Sequence, residues 1–96
     1  MEMKIYKNEA RKRYETLFHD KIAFIEYIEA KNAVYLTHTE VPASLEGRGI
    51  GSKLIKNVLD ILMEKDAKLA PLCPFVAAFI RKNPVYKSLL ASGYHV

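Results

Sequence analysis

Leu45-Glu46-Gly47-Arg48-Gly49-Ile50-Gly51-Ser52-Lys53-Leu54-Ile55 sets three glycines at alternate positions directly ahead of an amphipathic stretch. Beyond them Leu54, Ile55, Val58, Leu59, Ile61 and Leu62 recur at helical spacing, with Lys53, Lys56, Asn57, Asp60 and Glu64 on the other side. The first amides of such a helix have no intrahelical acceptor and carry the positive end of its dipole. Glycines beside them permit positive φ and close approach of a ligand to the backbone. The segment therefore reads as an anion cradle made of Gly47, Arg48, Gly49, Ile50, Gly51 and Ser52, with the Arg48 guanidinium available to a diphosphate. The plain alternative is a tight turn that needs only a flexible backbone. A Walker loop would end in Gly-Lys-Ser/Thr, whereas Gly51 is followed by Ser52-Lys53. A dinucleotide loop would follow the first strand of a longer parallel sheet than this chain can supply.

Upstream of the cradle the period changes from helical to alternating. Lys12 to Phe18 carries Tyr14, Thr16 and Phe18 on one face, and His19-Asp20-Lys21 supplies a turn. Ile22 to Glu29 places Ala23, Ile25 and Tyr27 on one side and Phe24, Glu26 and Ile28 on the other, the pattern of a strand covered on both faces. After a turn at Lys31-Asn32, strict alternation over Ala33 to Val41 puts Val34, Leu36, His38 and Glu40 on one side and Tyr35, Thr37, Thr39 and Val41 on the other. Downstream of the helix, Lys68 to Cys73 reads as a short buried strand, and a strand-helix-strand succession implies a right-handed crossover that sets it parallel to the third strand. Phe75 to Lys82 and Pro84 to Ala91 read as short helices, Pro84 being tolerated in a first turn. The expected fold is α+β: an antiparallel three-stranded meander, a helix, a parallel strand and short C-terminal helices.

Composition bounds the rest. Ninety-six residues with 50% hydrophobic and 27% charged side chains suit a single small domain over residues 1–96. One cysteine cannot form an internal disulfide or a thiolate metal cluster, which favours a reducing cytoplasm. The longest nearly apolar run, Leu69 to Ile80, is too short to cross a bilayer and is broken by Pro71 and Pro74. Met1-Glu2-Met3-Lys4 has no apolar core of a signal peptide. The net charge of +4 is diffuse and forms no basic stripe with interleaved aromatics, so a nucleic-acid partner is not expected.

The run His38-Thr39-Glu40-Val41-Pro42 leading into Glu46-Gly47-Arg48-Gly49-Ile50-Gly51-Ser52-Lys53-Leu54 resembles the acetyl-CoA motif of the GCN5-related N-acetyltransferases, and most closely their small YjdJ-type branch. Pro71-Leu72-Cys73-Pro74-Phe75 and Asn83-Pro84 extend the resemblance, which spans roughly residues 11 to 94. The resemblance implies a minimal fold of that family, with splayed third and fourth strands between which coenzyme A enters. Its pantetheine arm would pair with the strand edge near Glu40 and Val41, and its pyrophosphate would rest on Gly47 to Ser52. Glu46 stands where the wider family has Gln or Arg, and an acid there repels phosphate unless it faces solvent or pairs with Arg48.

Acetyl transfer to an amine needs a proton acceptor, donors for the developing oxyanion and a proton for the leaving thiolate. His38 and Glu40 are the candidate bases, each with a bland reading as a sheet histidine and an edge charge. Cys73 is the one thiol and precedes a predicted helix; it reads either as a nucleophile that would carry a transient acetyl group or as a small buried hydrophobe. The tyrosine that larger relatives place shortly before a Gly-aromatic pair is absent ahead of Gly93-Tyr94, where Ser88-Leu89-Leu90 stands. Tyr86 lies one turn earlier, as a substitute acid, a cofactor-packing ring or a core residue, and Asn83 either binds pantetheine or caps the following helix. The leading expectation is an acetyl-CoA-dependent N-acetyltransferase for a small-molecule or protein amine. A CoA-binding or protein-interaction module with little catalysis is the alternative, because the chain lacks the segments with which longer relatives build an acceptor pocket.

Overall fold

The computed structural model describes residues 3–96, so Met1 and Glu2, and with them part of the N-terminal reading, lie outside the described residues. Five strands form one sheet in sequential order: β1 (Tyr6–Asn8), β2 (Arg13–Phe18), β3 (Lys21–Glu29), β4 (Val34–Glu40) and β5 (Leu69–Pro71). β1 to β4 pair antiparallel, and β5 lies parallel to β4, as the strand-helix-strand succession requires. β1 was not anticipated, because three residues are too few to display a period. The β2–β3 turn is a two-residue hairpin, Phe18 pairing with Lys21 across His19 and Asp20, both at positive φ (48° and 65°), the backbone that matches strand twist.

Helix α1 (Ile50–Glu64) connects β4 to β5 and buries Leu54, Ile55, Val58, Leu59 and Leu62 against Ile25, Tyr27 and Leu36 of the sheet. Each such side chain removed from water contributes roughly 1.5–3 kcal/mol before the cost of ordering it. Helix α2 (Pro74–Lys82) adds Val76 and Ile80 to the same core. Its first turn holds Pro74, where a missing N–H costs no intrahelical bond. The segment expected as a second short helix from Pro84 is a 3-10 turn, Pro84–Leu89, that buries Tyr86 and Leu89.

Two expectations about the strands fail, for related reasons. β3 is covered on one face only: Ala23, Ile25 and Tyr27 are fully buried, while Ile28 is 56% exposed on the other side. Both helices pack on the first face, leaving the second open. In β4 the register shifts: Glu26 pairs with His38, but the next residue of β3, Tyr27, pairs with Leu36. This bulge inserts Thr37 as an extra residue and breaks the strict alternation. Val34, Leu36 and Thr39 consequently face the core, whereas His38 and Glu40 face the open side beside Glu26 and Phe24.

Candidate functional site

Gly47 and Gly49 adopt positive φ, 81° and 72°, which residues with a Cβ occupy only under strain. Gly49 is the N-cap of α1, and no side chain caps the helix. The first intrahelical bond runs from the Lys53 amide to the Gly49 carbonyl at 3.1 Å, so the amides of Ile50, Gly51 and Ser52 have no partner within the helix. Those three amides and the helix dipole converge on one cleft of about 340 Å³. Thr39, Glu40 and Val41 form one wall, Leu45 to Gly47 with Gly49 to Ser52 the floor, and Phe75 of α2 the far side. Val41 packs on the helix start, where a Cβ added to Gly51 would sit 3.4 Å from its Cγ2.

The cleft opens because β4 outlasts β5. Their pairing ends at Leu36 and Pro71, and the Cys73 amide closes the ladder by donating to the Leu36 carbonyl at 2.9 Å. Pro71 and Pro74 have no N–H to continue it, and the chain turns into α2. Residues His38 to Glu40 therefore pair with β3 alone and present a bare backbone edge to the gap, with the bulge at Thr37 at its inner end.

Cys73 lies at the apex of that gap, 4% exposed, with Sγ 3.4 Å from the Thr39 hydroxyl. His38 and Glu40 are close to one another, Nε2 to Oε1 3.4 Å, but on the opposite face of the sheet. The His38 ring meets Phe24 edge-on at 6.3 Å, and Arg13 lies over the other part of that neighbourhood, its Cζ 4.1 Å from the Phe24 centroid while it pairs with Glu15. The structure thus sets the two candidate bases side by side with their side chains turned from the thiol, while Glu40, at the end of β4, also borders the loop cleft. Thr39 and Phe75 received no role from the sequence; the bulge that turns Thr39 inward leaves no trace in the alternation, and Phe75 was visible only as part of the Cys73 motif.

The remaining candidates divide. Arg48 is exposed and lines a neighbouring cavity instead of the loop cleft, and Glu46 stands at the cleft rim with no ion pair to Arg48 among the described residues. The Asn83 side chain donates to the Phe79 carbonyl at 2.9 Å, so it caps the end of α2 and not the start of the next turn. Tyr86 donates to Asp60 Oδ1 at 2.7 Å, and Lys56 donates to Oδ2 of the same carboxylate at 2.8 Å. Burial, followed by that hydrogen bond, raises the Tyr86 pKa above its ordinary value. For Asp60, burial pushes upward, but the bonds from Lys56 and Tyr86 prevail and lower it. Tyr86 ties the 3-10 turn to α1 and lies tilted against Phe79, ring centroids 5.8 Å apart; neither it nor Asn83 lines the loop cleft.

The profile of the GCN5-related N-acetyl-transferase family matches residues 13–89, from the first residue of β2 to the end of the 3-10 turn. The chain belongs to the GCN5-related N-acetyltransferase family. Protein NATD1 of Bos taurus and of Homo sapiens are each 36% identical to it over 67 residues, and Protein NATD1 of Xenopus tropicalis 34%. These matches take in 70% of this chain and 59–62% of the relatives, so the chain spans about three fifths of their length. The solution structure of a GCN5-like protein from Staphylococcus aureus superposes with a TM-score of 0.71 at 25% identity, over 96% of this chain and 91% of that one. The matched span of this GCN5-related domain contains β4, the glycine loop, Cys73, Asn83 and Tyr86, and leaves β1 outside.

Proposed function

We propose that this domain transfers an acetyl group from acetyl-CoA to an amine. The observation that carries the reading is the set of three uncapped amides, Ile50, Gly51 and Ser52, opening into a cleft whose other wall is an unpaired strand edge. A diphosphate fits the amides, and an amide-bearing pantetheine arm fits the strand edge. Bound acetyl-CoA would supply an activated thioester. Val41 and Gly51 line the cleft side by side, and the positive φ of Gly47 and Gly49 turns the loop that forms its floor.

The chemistry at the apex favours direct attack over an acetyl-cysteine. A nucleophilic thiol needs a base within hydrogen-bond reach, and the side-chain partner of Cys73 Sγ is the Thr39 hydroxyl. Glu40 and His38, on the open face, are instead placed to take the proton of an amine that arrives from that side. Backbone freed by the bulge at Thr37 offers donors near the reacting carbonyl, and Cys73 with Thr39 closes the apex around the leaving sulfur. Calorimetry with CoA tests binding, and an amine panel with thioester consumption as readout tests turnover. Saturable binding with amine-dependent consumption supports the reading; binding without turnover on any amine indicates a CoA-binding module.

A further inference from the structure

Neither helix covers the second face of the sheet, and the register of β2, β3 and β4 sorts that face into four rows. Leu17 and Ile22 make the first; Glu15, Phe24 and Glu40 the second; Arg13, Glu26 and His38 the third; Ile28 and Tyr35 the fourth. Along β3 the rows are two residues apart, about 6.8 Å in an antiparallel strand. The outer rows are apolar and open to water, with Leu17 62%, Ile22 42% and Ile28 56% exposed. The inner rows hold three glutamates against one arginine, in a chain whose net charge is +4. Arg13 is already engaged, pairing with Glu15 at 2.6 Å while its Cζ lies 4.1 Å from the Phe24 centroid. Among the described residues Glu26 has no cationic partner within 4.0 Å, and Glu40 has only His38.

We infer that this face docks an extended segment of a partner polypeptide in which two basic residues, two positions apart, are flanked at the same spacing by apolar ones. An extended chain presents side chains on one side every second residue, about 6.8 Å apart, so a segment laid along β3 sets alternate side chains over successive rows. Charge selects the occupant. Lysine or arginine over the inner rows meets carboxylates that have no lysine or arginine of their own, whereas a second copy packed face to face would set glutamates against glutamates. Exposed ion pairs contribute little alone, and the apolar rows supply the burial that completes the contact. A small polyamine would match the charge but leave Leu17, Ile22 and Ile28 in water. Glu40 also borders the loop cleft, so the docked segment brings a basic side chain to the rim of that site. The docking stands without the transferase reading, because no other residue of the four rows lines that cleft.

The test is an amide-shift titration of the ¹⁵N-labelled full chain, at low ionic strength, with the end-capped peptide Leu-Ser-Lys-Ser-Lys-Ser-Leu. The same peptide with both lysines changed to glutamate, and spermidine as a small polycation, are the comparisons. The lysine peptide is expected to give saturable shifts centred on β2 to β4, weakened by added salt, and the glutamate peptide none. Affinity should fall by about five-fold or more in Glu26→Gln/Glu40→Gln and by about three-fold or more in Ile28→Ser. Ile28 is exposed, so its replacement leaves the fold intact and reports on the apolar row. A lysine peptide that fails to saturate at millimolar concentration, a glutamate peptide that binds equally, or either variant binding as tightly as wild type overturns the inference. Spermidine binding as tightly as the peptide assigns the face to small cations, and line broadening there that grows with protein concentration and blocks the peptide assigns it to a second copy; each of these also overturns it. CoA titrated into the same sample reports on the loop cleft separately, so the docking and the transferase reading fail independently.

Discussion

The Thr39 hydroxyl and the Cys73 thiol stand 3.4 Å apart where β4 and β5 separate, and both face the helical core. One residue to either side of Thr39, His38 and Glu40 point out of the other face of the sheet. The thiol and the carboxylate are therefore assigned to different sides of the reaction, and the two can be separated by experiment.

Cys73→Ala should retain turnover to within about ten-fold of wild type, because the thiol packs at the apex without a base to activate it. Intact-mass measurement after incubation with acetyl-CoA and no acceptor should find no acetylated enzyme. An acetyl adduct that vanishes in Cys73→Ala would establish the two-step route instead.

Glu40→Gln should lower kcat/KM by about 10²-fold or more while leaving CoA affinity within about two-fold, as expected for loss of a general base on the acceptor side. Its exposed side chain, 60% accessible, makes a folding defect implausible as the cause. Equal loss of CoA binding and turnover would assign Glu40, which borders the loop cleft, to cofactor binding and not to proton transfer.

Gly49→Ala should destabilise the domain by roughly 1–2 kcal/mol, because alanine must take up φ 72° at the N-cap. The added Cβ meets no other residue within 4 Å, so the cost is one of backbone strain and not of overlap. A thermal melt about 5–10 °C lower is the expected readout. An unchanged Tm would mean that the loop relaxes to another backbone.

The Tyr86–Asp60 bond gives stability a defined pH dependence. Asp60 has a folded pKa below its ordinary 3.8, so its contribution is complete above that value and is lost as pH falls through the lowered one. Tyr86 is raised above 10.0, so its contribution is present below that value and is lost as pH rises through the raised one. Tyr86→Phe should cost about 1–2 kcal/mol near neutrality and flatten the alkaline limb; Asp60→Asn should flatten the acid limb. Denaturant melts across the acid and alkaline ranges check both, and unchanged limbs in the variants would assign the pH dependence to other groups.

The parts of this fold that repeat a period were readable from the residues. Leu54, Val58 and Leu62 mark α1, Ala23, Ile25 and Tyr27 mark the inner face of β3, and the helix between β4 and β5 forces them parallel. What escaped is what breaks a period. One inserted residue, Thr37, reverses every side chain after it, and a bulge has no compositional signature when its strand is uniformly β-branched and aromatic. Ile28 and Phe24 looked buried because hydrophobicity alone cannot tell a covered face from an open one. For the site, the glycines marked the loop that floors the cleft, but Arg48 lines the neighbouring cavity together with Lys4, Thr16 and Lys53, a juxtaposition that no local spacing encodes.

The proposed function rests on the helix-start amides holding the anion. A titration of ¹⁵N-labelled protein with CoA, followed by amide shifts, addresses it residue by residue. Ile50, Gly51 and Ser52 should move furthest and saturate together, with Thr39 to Val41 following along the strand edge. Shifts that saturate elsewhere while those three amides stay still would contradict it.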